Sequence, residues 1–239
     1  MTELTRFSFK AGLQNPLRLA VVADLHSTPF LGVLEELKRI APDAVLCPGD
    51  TLHRAGTDED GLDFLFEASR LFPTFCSLGN HEVKHGTGVR EAMKNSGAVL
   101  LDNAWTEFMG IAIGGLSTGY REGIKQGRLK KTPRPELERL DGFFRQNCFK
   151  LLLSHHPEYF RPYLRDLPID VIISGHAHGG QWRIFGQGIF APGQGIFPKY
   201  TAGVHENRLV ISRGLGNHTI IPRIFNRPEI VVLTLKGEK

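Results

Sequence analysis

The stretch Ser174-Gly175-His176-Ala177-His178-Gly179-Gly180 decides how this chain is read. It follows Ile169 to Ile173, an apolar run of β-favouring residues, and it ends in a glycine-rich turn. Two imidazoles one residue apart, on a turn at a strand end, suit a metal ion. Two histidines cannot fill a coordination sphere alone, so further ligands must come from comparable places.

Outward from this stretch, the same pattern recurs four times. Leu17 to Ala23 is a continuous apolar run, the mark of a strand buried on both faces, and it ends in Asp24-Leu25-His26. Asp43 to Cys47 ends in Pro48-Gly49-Asp50. Pro73 to Leu78 ends in Gly79-Asn80-His81-Glu82, and Phe149 to Leu153 ends in Ser154-His155-His156-Pro157. Helical periods separate the runs. Leu31, Leu34, Leu37 and Ile40 mark one face, with Thr28 as the cap and Pro29 at the first position. Asp58 to Leu71 carries Leu62, Leu65, Phe66 and Ser69 on or near one face. Thr87 to Asn95 and Pro135 to Gln146 read as further helices.

Leu4 to Lys10 alternates like an edge strand, and Ala98 to Leu101, Thr106 to Phe108 and Ile111 to Leu116 also read as strands. Beyond Gln181 the chain is rich in glycine and β-formers. A hairpin is expected over Val204 to Ile211, Ile230 to Leu235 closes a sheet, and Ala191 to Tyr200 is irregular. βαβ units in the first half and antiparallel strands at the end fit a four-layer α/β/β/α sandwich of two mixed sheets. One domain over 1–239 is expected. In open α/β sheets ligands bind beyond the carboxyl ends of strands, where all five polar blocks fall.

Hydrophobic content of 41% and charged content of 23% are those of an ordinary globular protein. A net charge of +4 suits an anionic substrate, and no basic stripe with interleaved aromatics argues for obligate nucleic-acid binding. Cys47, Cys76 and Cys148 form no CxxC pair and read as small reduced thiols. The apolar run at Leu17 is too short to span a membrane and is interrupted by Arg18, so no transmembrane segment is expected. The expected location is the cytoplasm, with peripheral membrane contact left open. Tyr120 to Pro135 carries Arg121, Lys125, Arg128, Lys130, Lys131 and Arg134 against the single acid Glu122. It reads either as a solvated loop or as a flap that meets a negatively charged substrate.

Together the five blocks offer two carboxylates, an amide oxygen and four imidazoles. Burying these unpaired would cost several kcal/mol, and metal coordination removes that cost. So many ligands exceed one tetrahedral ion and suit two ions that share a carboxylate and a water. Oxygen and nitrogen donors without thiolate fit manganese, iron or zinc.

The order D-x-H, G-D, G-N-H-[DE], H, G-H-x-H resembles the calcineurin-like metallophosphoesterase superfamily. The tail Ser212-Arg213-Gly214-Leu215-Gly216, with Pro222 and Pro228-Glu229, is similar to the bacterial YkuE/YaeI-like branch. The resemblance implies that Asp24, His26 and His178 hold one divalent ion and that Asn80, His155 and His176 hold a second. Asp50 bridges the two. His81 would act as the catalytic acid or transition-state group, with Glu82 or another acid orienting it. The chain departs from the family at His53, where many members have an aspartate, at Ser117, and in doubling His155 with His156.

The expected chemistry is direct attack of a metal-bridging hydroxide on a phosphodiester or phosphomonoester. Arg213, Arg223 and Arg227 are candidates to clamp the phosphate. Phe190, Phe197 and Tyr200 could line a wall for an apolar or sugar portion. The expected partner is therefore a phosphate-ester substrate, lipid-linked and nucleotide-sugar forms included. A pyrophosphatase of UDP-diacylglucosamine type is the alternative chemistry. A binding scaffold such as the retromer subunit is the alternative class, and it would have lost ligands that this chain keeps.

Overall fold

The computed structural model describes residues 2–53, 59–84, 87–119, 133–192, 194–217 and 222–237. The basic segment Tyr120 to Pro135, read as a solvated loop or a flap, falls largely outside them. β1 (Glu3–Lys10) and β2 (Leu17–Val21) are followed by α1 (Leu31–Ile40), β3 (Ala44–Cys47), α2 (Glu59–Leu71) and β4 (Thr74–Cys76). Next come α3 (Asn80–Lys84), α4 (Thr87–Asn95), β5 (Val99–Leu100), β6 (Ala104–Phe108) and β7 (Ile111–Leu116). One short helix, α5 (Asp141–Phe144), precedes β8 (Phe149–Ser154) and β9 (Val171–Ser174). Two small hairpins follow, β10 (Arg183–Ile184) with β11 (Gln187–Gly188), and β12 (Phe190–Ala191) with β13 (Gly195–Ile196). The chain ends with β14 (Gly203–His205), β15 (Leu209–Ile211) and β16 (Glu229–Lys236).

Two six-stranded mixed sheets result, ordered β1-β16-β2-β3-β4-β5 and β14-β15-β9-β8-β7-β6. Alternation along each strand builds three apolar layers. Leu19 and Val21 of β2 meet Leu151 and Leu153 of β8 and Ile173 of β9 between the sheets. Ala20 and Val22 point the other way, onto Leu34 and Leu37 of α1 and Phe64 of α2. On the far face of the second sheet, Leu152 and Ile172 pack against Phe143, Phe160 and Leu164. Three apolar interfaces require four layers, so the α/β/β/α sandwich stands.

Several local expectations are corrected. Thr28 does not cap α1: its hydroxyl donates to the Leu25 carbonyl at 2.7 Å, and the helix starts at Leu31 without a side-chain cap. Leu31 is exposed, and Val33 joins Leu34, Leu37 and Ile40 on the buried face. α2 is turned in the same way, burying Phe64, Leu65 and Ala68 while Phe66 is exposed. The helix expected over Pro135 to Gln146 is a 3₁₀ turn, Leu137–Leu140, joined to α5 through Leu140 at φ −103° and ψ 12°. Gly142 there lowers helix propensity. β16 does not close a sheet from its edge. It inserts between β1 and β2, parallel to the first and antiparallel to the second.

Leu153→Ala, in the intersheet core, should lower stability by about 2–5 kcal/mol, whereas Leu31→Ala should change it by less than about 0.5 kcal/mol. Urea unfolding of both variants checks this contrast.

Candidate metal centre

β2, β3 and β4 of the first sheet run parallel to one another, as do β8 and β9 of the second, so their carboxyl ends open on one edge. Beyond the last ladder bonds the loops are laced together. The N–H groups of His26 and Ser27 donate to the carbonyls of Asp50 and Thr51, and Gly175 donates to His155. The chain turns sharply there. Asp24, His26, Asp50, His176 and His178 all have positive φ, between 46° and 64°. Left-handed backbone at a residue with a side chain costs about 1–2 kcal/mol. Such strain concentrates where side-chain direction matters to function.

Two carboxylates tie the edge together. Both oxygens of Asp24 accept the His176 N–H, at 2.9 and 3.0 Å, joining the end of β2 to the end of β9. Asp50 Oδ1 accepts the His81 N–H at 2.9 Å. These approaches need glycine at two places. A Cβ on Gly175 would lie 2.5 Å from Asp24 Oδ2, and one on Gly79 would lie 2.2 Å from Asp50 Oδ1. Glu82, a candidate to orient His81, is bound to backbone. Its carboxylate accepts the N–H groups of Gly79, Asp50 and Leu52 at 2.8, 3.0 and 2.9 Å.

All seven residues expected as ligands come together with His81, and all are buried. His26 Nε2 and His178 Nε2 are 3.2 Å apart. Around His155 Nε2 lie Asn80 Oδ1 at 3.2 Å, His176 Nδ1 at 3.2 Å and Asp50 Oδ2 at 3.1 Å. Nitrogen donors on one ion, each about 2.1 Å from it, stand about 3.0–3.4 Å from each other. The donor set and its spacing therefore fit metal ions. Asp24, His26 and His178 form one close group, and Asp24, Asp50 and His155 form another.

Three more residues join the site. His53 stands 5.8 Å from the His26 ring and 5.3 Å from the His81 ring, so an imidazole occupies the place of the family's aspartate. Glu158 Oε1 lies 3.1 Å from His156 Nδ1 and 3.8 Å from His176 Nε2. Asn226 Nδ2 donates to the His178 carbonyl at 2.7 Å. Glu158 follows His155-His156-Pro157 closely enough to have been suspected. Asn226 is far away in sequence and carried no signal.

The arginines separate. Arg223 Nη2 lies 3.3 Å from His178 Nδ1, and the same guanidinium donates to the carbonyls of Arg213 and Gly216. Arg213 pairs with Glu229 at 2.6 Å and Glu3 at 3.2 Å. Arg227 is exposed.

Charge is unevenly balanced. Burial raises the Asp24 carboxyl to about 6, and burial raises Glu82 to about 7. Burial alone would lower His155, but the Asp50 and Asp24 carboxylates beside it carry it up to about 9. Burial likewise works against ionised Asp50, yet His155, His81 and His26 hold it well below the usual carboxylate range. Burial pushes His176 well below the imidazole range.

Residues 17–180 match the family model described as calcineurin-like phosphoesterase. The chain belongs to that family, and with it to the metal-dependent phosphoric ester hydrolases. It is 28% identical to the phosphodiesterase YaeI of Escherichia coli, a match covering 96% of this chain and 86% of YaeI. It is 25% identical to the uncharacterized metallophosphoesterase YkuE of Bacillus subtilis, covering 99% of this chain and 86% of YkuE. It spans 61% of the uncharacterized metallophosphoesterase Cj0846 of Campylobacter jejuni, at 28% identity over 95% of this chain. A shorter match, 38% identical over 93 residues, is to the UDP-2,3-diacylglucosamine pyrophosphatase LpxG of Chlamydia muridarum, covering 35% of this chain and 28% of LpxG.

A pH test follows from His155. Above pH 7.5 the unfolded imidazole, with an ordinary value near 6.5, has lost its proton, while folded His155 keeps its own to about 9. The raised folded value means that metal-free protein loses stability as pH rises through this window. A cation held by His155 would take the place of that proton, so on that assignment stabilisation by manganese should grow from pH 7.5 to 9. Thermal melts with chelator and with manganese at both pH values measure it, and an unchanged difference would contradict the assignment.

Proposed function

We propose that the chain is a dinuclear-metal phosphoesterase that hydrolyses a phosphodiester or phosphomonoester by direct displacement, without a phosphoenzyme. One observation carries this reading. Asp50 Oδ2 lies 3.9 Å from His26 Nε2 and 3.1 Å from His155 Nε2, so a single carboxylate reaches both imidazole clusters. Asp24, His26 and His178 would hold one cation, Asn80, His155 and His176 the other, and Asp50 both. Manganese is the first candidate, with iron or zinc as alternatives. Two such cations supply a nucleophilic water near neutral pH and positive charge opposite the phosphate oxygens.

The chain's own groups do the rest. Asp50 fixes His81 through its backbone N–H, and its other oxygen lies 3.9 Å from His81 Nε2. His81 is thus held at the rim of the cluster, where its imidazole gives a proton to the departing oxygen. His53, beside His81, narrows the same side of the site. Arg223, half-buried next to His178, is the arginine best supported as a phosphate clamp. Arg213 is retained only as a strut behind it.

The match to YaeI, over 96% of this chain and 86% of YaeI, supports a diester substrate, and the short match to LpxG supports a second reading, a nucleotide-sugar pyrophosphatase acting on a lipid-linked substrate. Retention of every ligand and of His81 weighs against a non-catalytic scaffold. A single domain in the cytoplasm remains our reading, and no helix among the described residues is long and apolar enough to cross a membrane.

Asp50→Asn should abolish hydrolysis of bis-p-nitrophenyl phosphate, and near-normal turnover would contradict the shared-carboxylate scheme. His81→Ala should retain metal while slowing turnover by about 100-fold or more, the scale of lost acid catalysis. Metal analysis of that variant separates a catalytic role from a ligand role. A screen with manganese over monoesters, diesters and nucleotide-sugar pyrophosphates identifies the substrate class.

A further inference from the structure

Two hairpins grow directly out of the metal centre's last histidine. β10–β11 begins shortly after His178, at Arg183, and β12–β13 follows it from Phe190. Asn226 and Arg223 clip the crossing segment around Ile224 to the same histidine. Ile224 bridges Trp182, and the Ile189 N–H donates to the Trp182 carbonyl, so the two hairpins and the segment form one continuous surface.

That surface is apolar and unusually open. Trp182, Ile184, Phe185, Ile224 and Phe225 are exposed on one part, and Phe190, Ile196 and Phe197 on the other. Phe185 is fully exposed, Phe225 is 86% exposed and Phe197 is 69% exposed. Single exposed apolar residues are ordinary on proteins, but a contiguous group is not.

The backbone makes the exposure costly. Phe185, Phe197 and Phe225 have φ of 48°, 51° and 53°. Phe185 and Gly186 form the two-residue turn between Ile184 and Gln187, where Asn-Gly is the low-cost choice. An aromatic ring at each of these left-handed positions gives up stability to stand away from the protein. Neither local propensity nor packing accounts for it.

Charge selects the occupant. From Val171 to Pro228 the chain has six Lys and Arg residues and a single acid, Glu206. That acid is paired with Arg165, at 2.9 Å. Two residues beyond Phe197 comes exposed Lys199, and two beyond Phe225 comes exposed Arg227. The exposed charges next to the rings, Lys199 and Arg227, are both positive, so a second copy laid on this face would bring like charges together without offering them an acid. A group of outward aromatic tips with cations beside them matches the boundary of an anionic bilayer, where rings enter the interfacial region and cations meet lipid phosphates.

We propose that the β10–β13 hairpins and the Ile224–Phe225 segment dock the protein on an anionic lipid surface, with the mouth of the metal centre beside the bilayer. The proposal concerns where the enzyme works and stands apart from the reaction it performs.

Flotation of the full chain with vesicles tests it. Binding to phosphatidylcholine vesicles containing phosphatidylglycerol is expected, with little binding to phosphatidylcholine alone and release at about 0.5 M salt. The double variant Phe185→Ser/Phe225→Ser should bind at least about tenfold more weakly, as loss of two inserted rings requires. Its melting temperature and its hydrolysis of a soluble ester should be unchanged, since both rings lie outside the core and the metal centre. Phe197→Ser, on the other hairpin, should weaken binding independently. No binding of wild-type protein to anionic vesicles would overturn the proposal, as would equal binding by the double variant. So would a wild-type dimer that the double variant disperses, because a second copy would then cover the surface.

Discussion

Two buried carboxylates, Asp24 and Asp50, hold this molecule's working edge together. Each stands at the end of a strand of the first sheet and accepts backbone N–H groups from a distant loop, Asp24 from the end of β9 and Asp50 from the start of α3. The apolar layer between the sheets brings these ends into register but cannot orient them. Removing two carboxylates from water is expensive, and one histidine drawn into the imidazolium range, His155, does not balance the whole cluster. The left-handed backbone at five neighbouring residues adds to that cost. A site so constructed is most stable with cations in it, which links the fold to the chemistry.

The sequence made the strand-end blocks legible because each is a local signal: an apolar run that stops abruptly at acid, amide or imidazole. It made the four-layer sandwich legible because β2, β3, β4, β8 and β9 are apolar on both faces. What it hid depends on competition or distance. The Thr28 hydroxyl could accept an N–H of the helix N-terminus or donate to the Leu25 carbonyl, and the turn at Leu25 won. Helical period alone could not tell Leu31 from Val33 as the buried residue, because both fit a broad apolar stripe. The ion pairs of Arg213, a candidate phosphate clamp from sequence, were not legible because its partners, Glu229 on β16 and Glu3 on β1, meet it only through a sheet order in which the last strand inserts beside the first.

The C-terminal third illustrates a different limit. Its glycine, phenylalanine and isoleucine content read equally well as packing or as a wall for substrate. Only the surface exposure separates the residues. Tyr200 and Ala191 are buried against the second sheet, while Phe185, Phe197 and Phe225 face outward from strained turns. A metal centre on one edge and an apolar, acid-poor surface beside it give the protein a polar reactive mouth and a greasy rim. That pairing is suited to a phosphate carried at the end of an apolar molecule.

The central claim is that one carboxylate serves two cations, and the most direct measurement is the metal content and magnetic state of the manganese-loaded protein. Elemental analysis with electron paramagnetic resonance should give two ions per chain with spin-coupled Mn(II). Asp50→Asn should lose the coupling. A single uncoupled ion in the wild-type protein, at saturating manganese, would contradict the account.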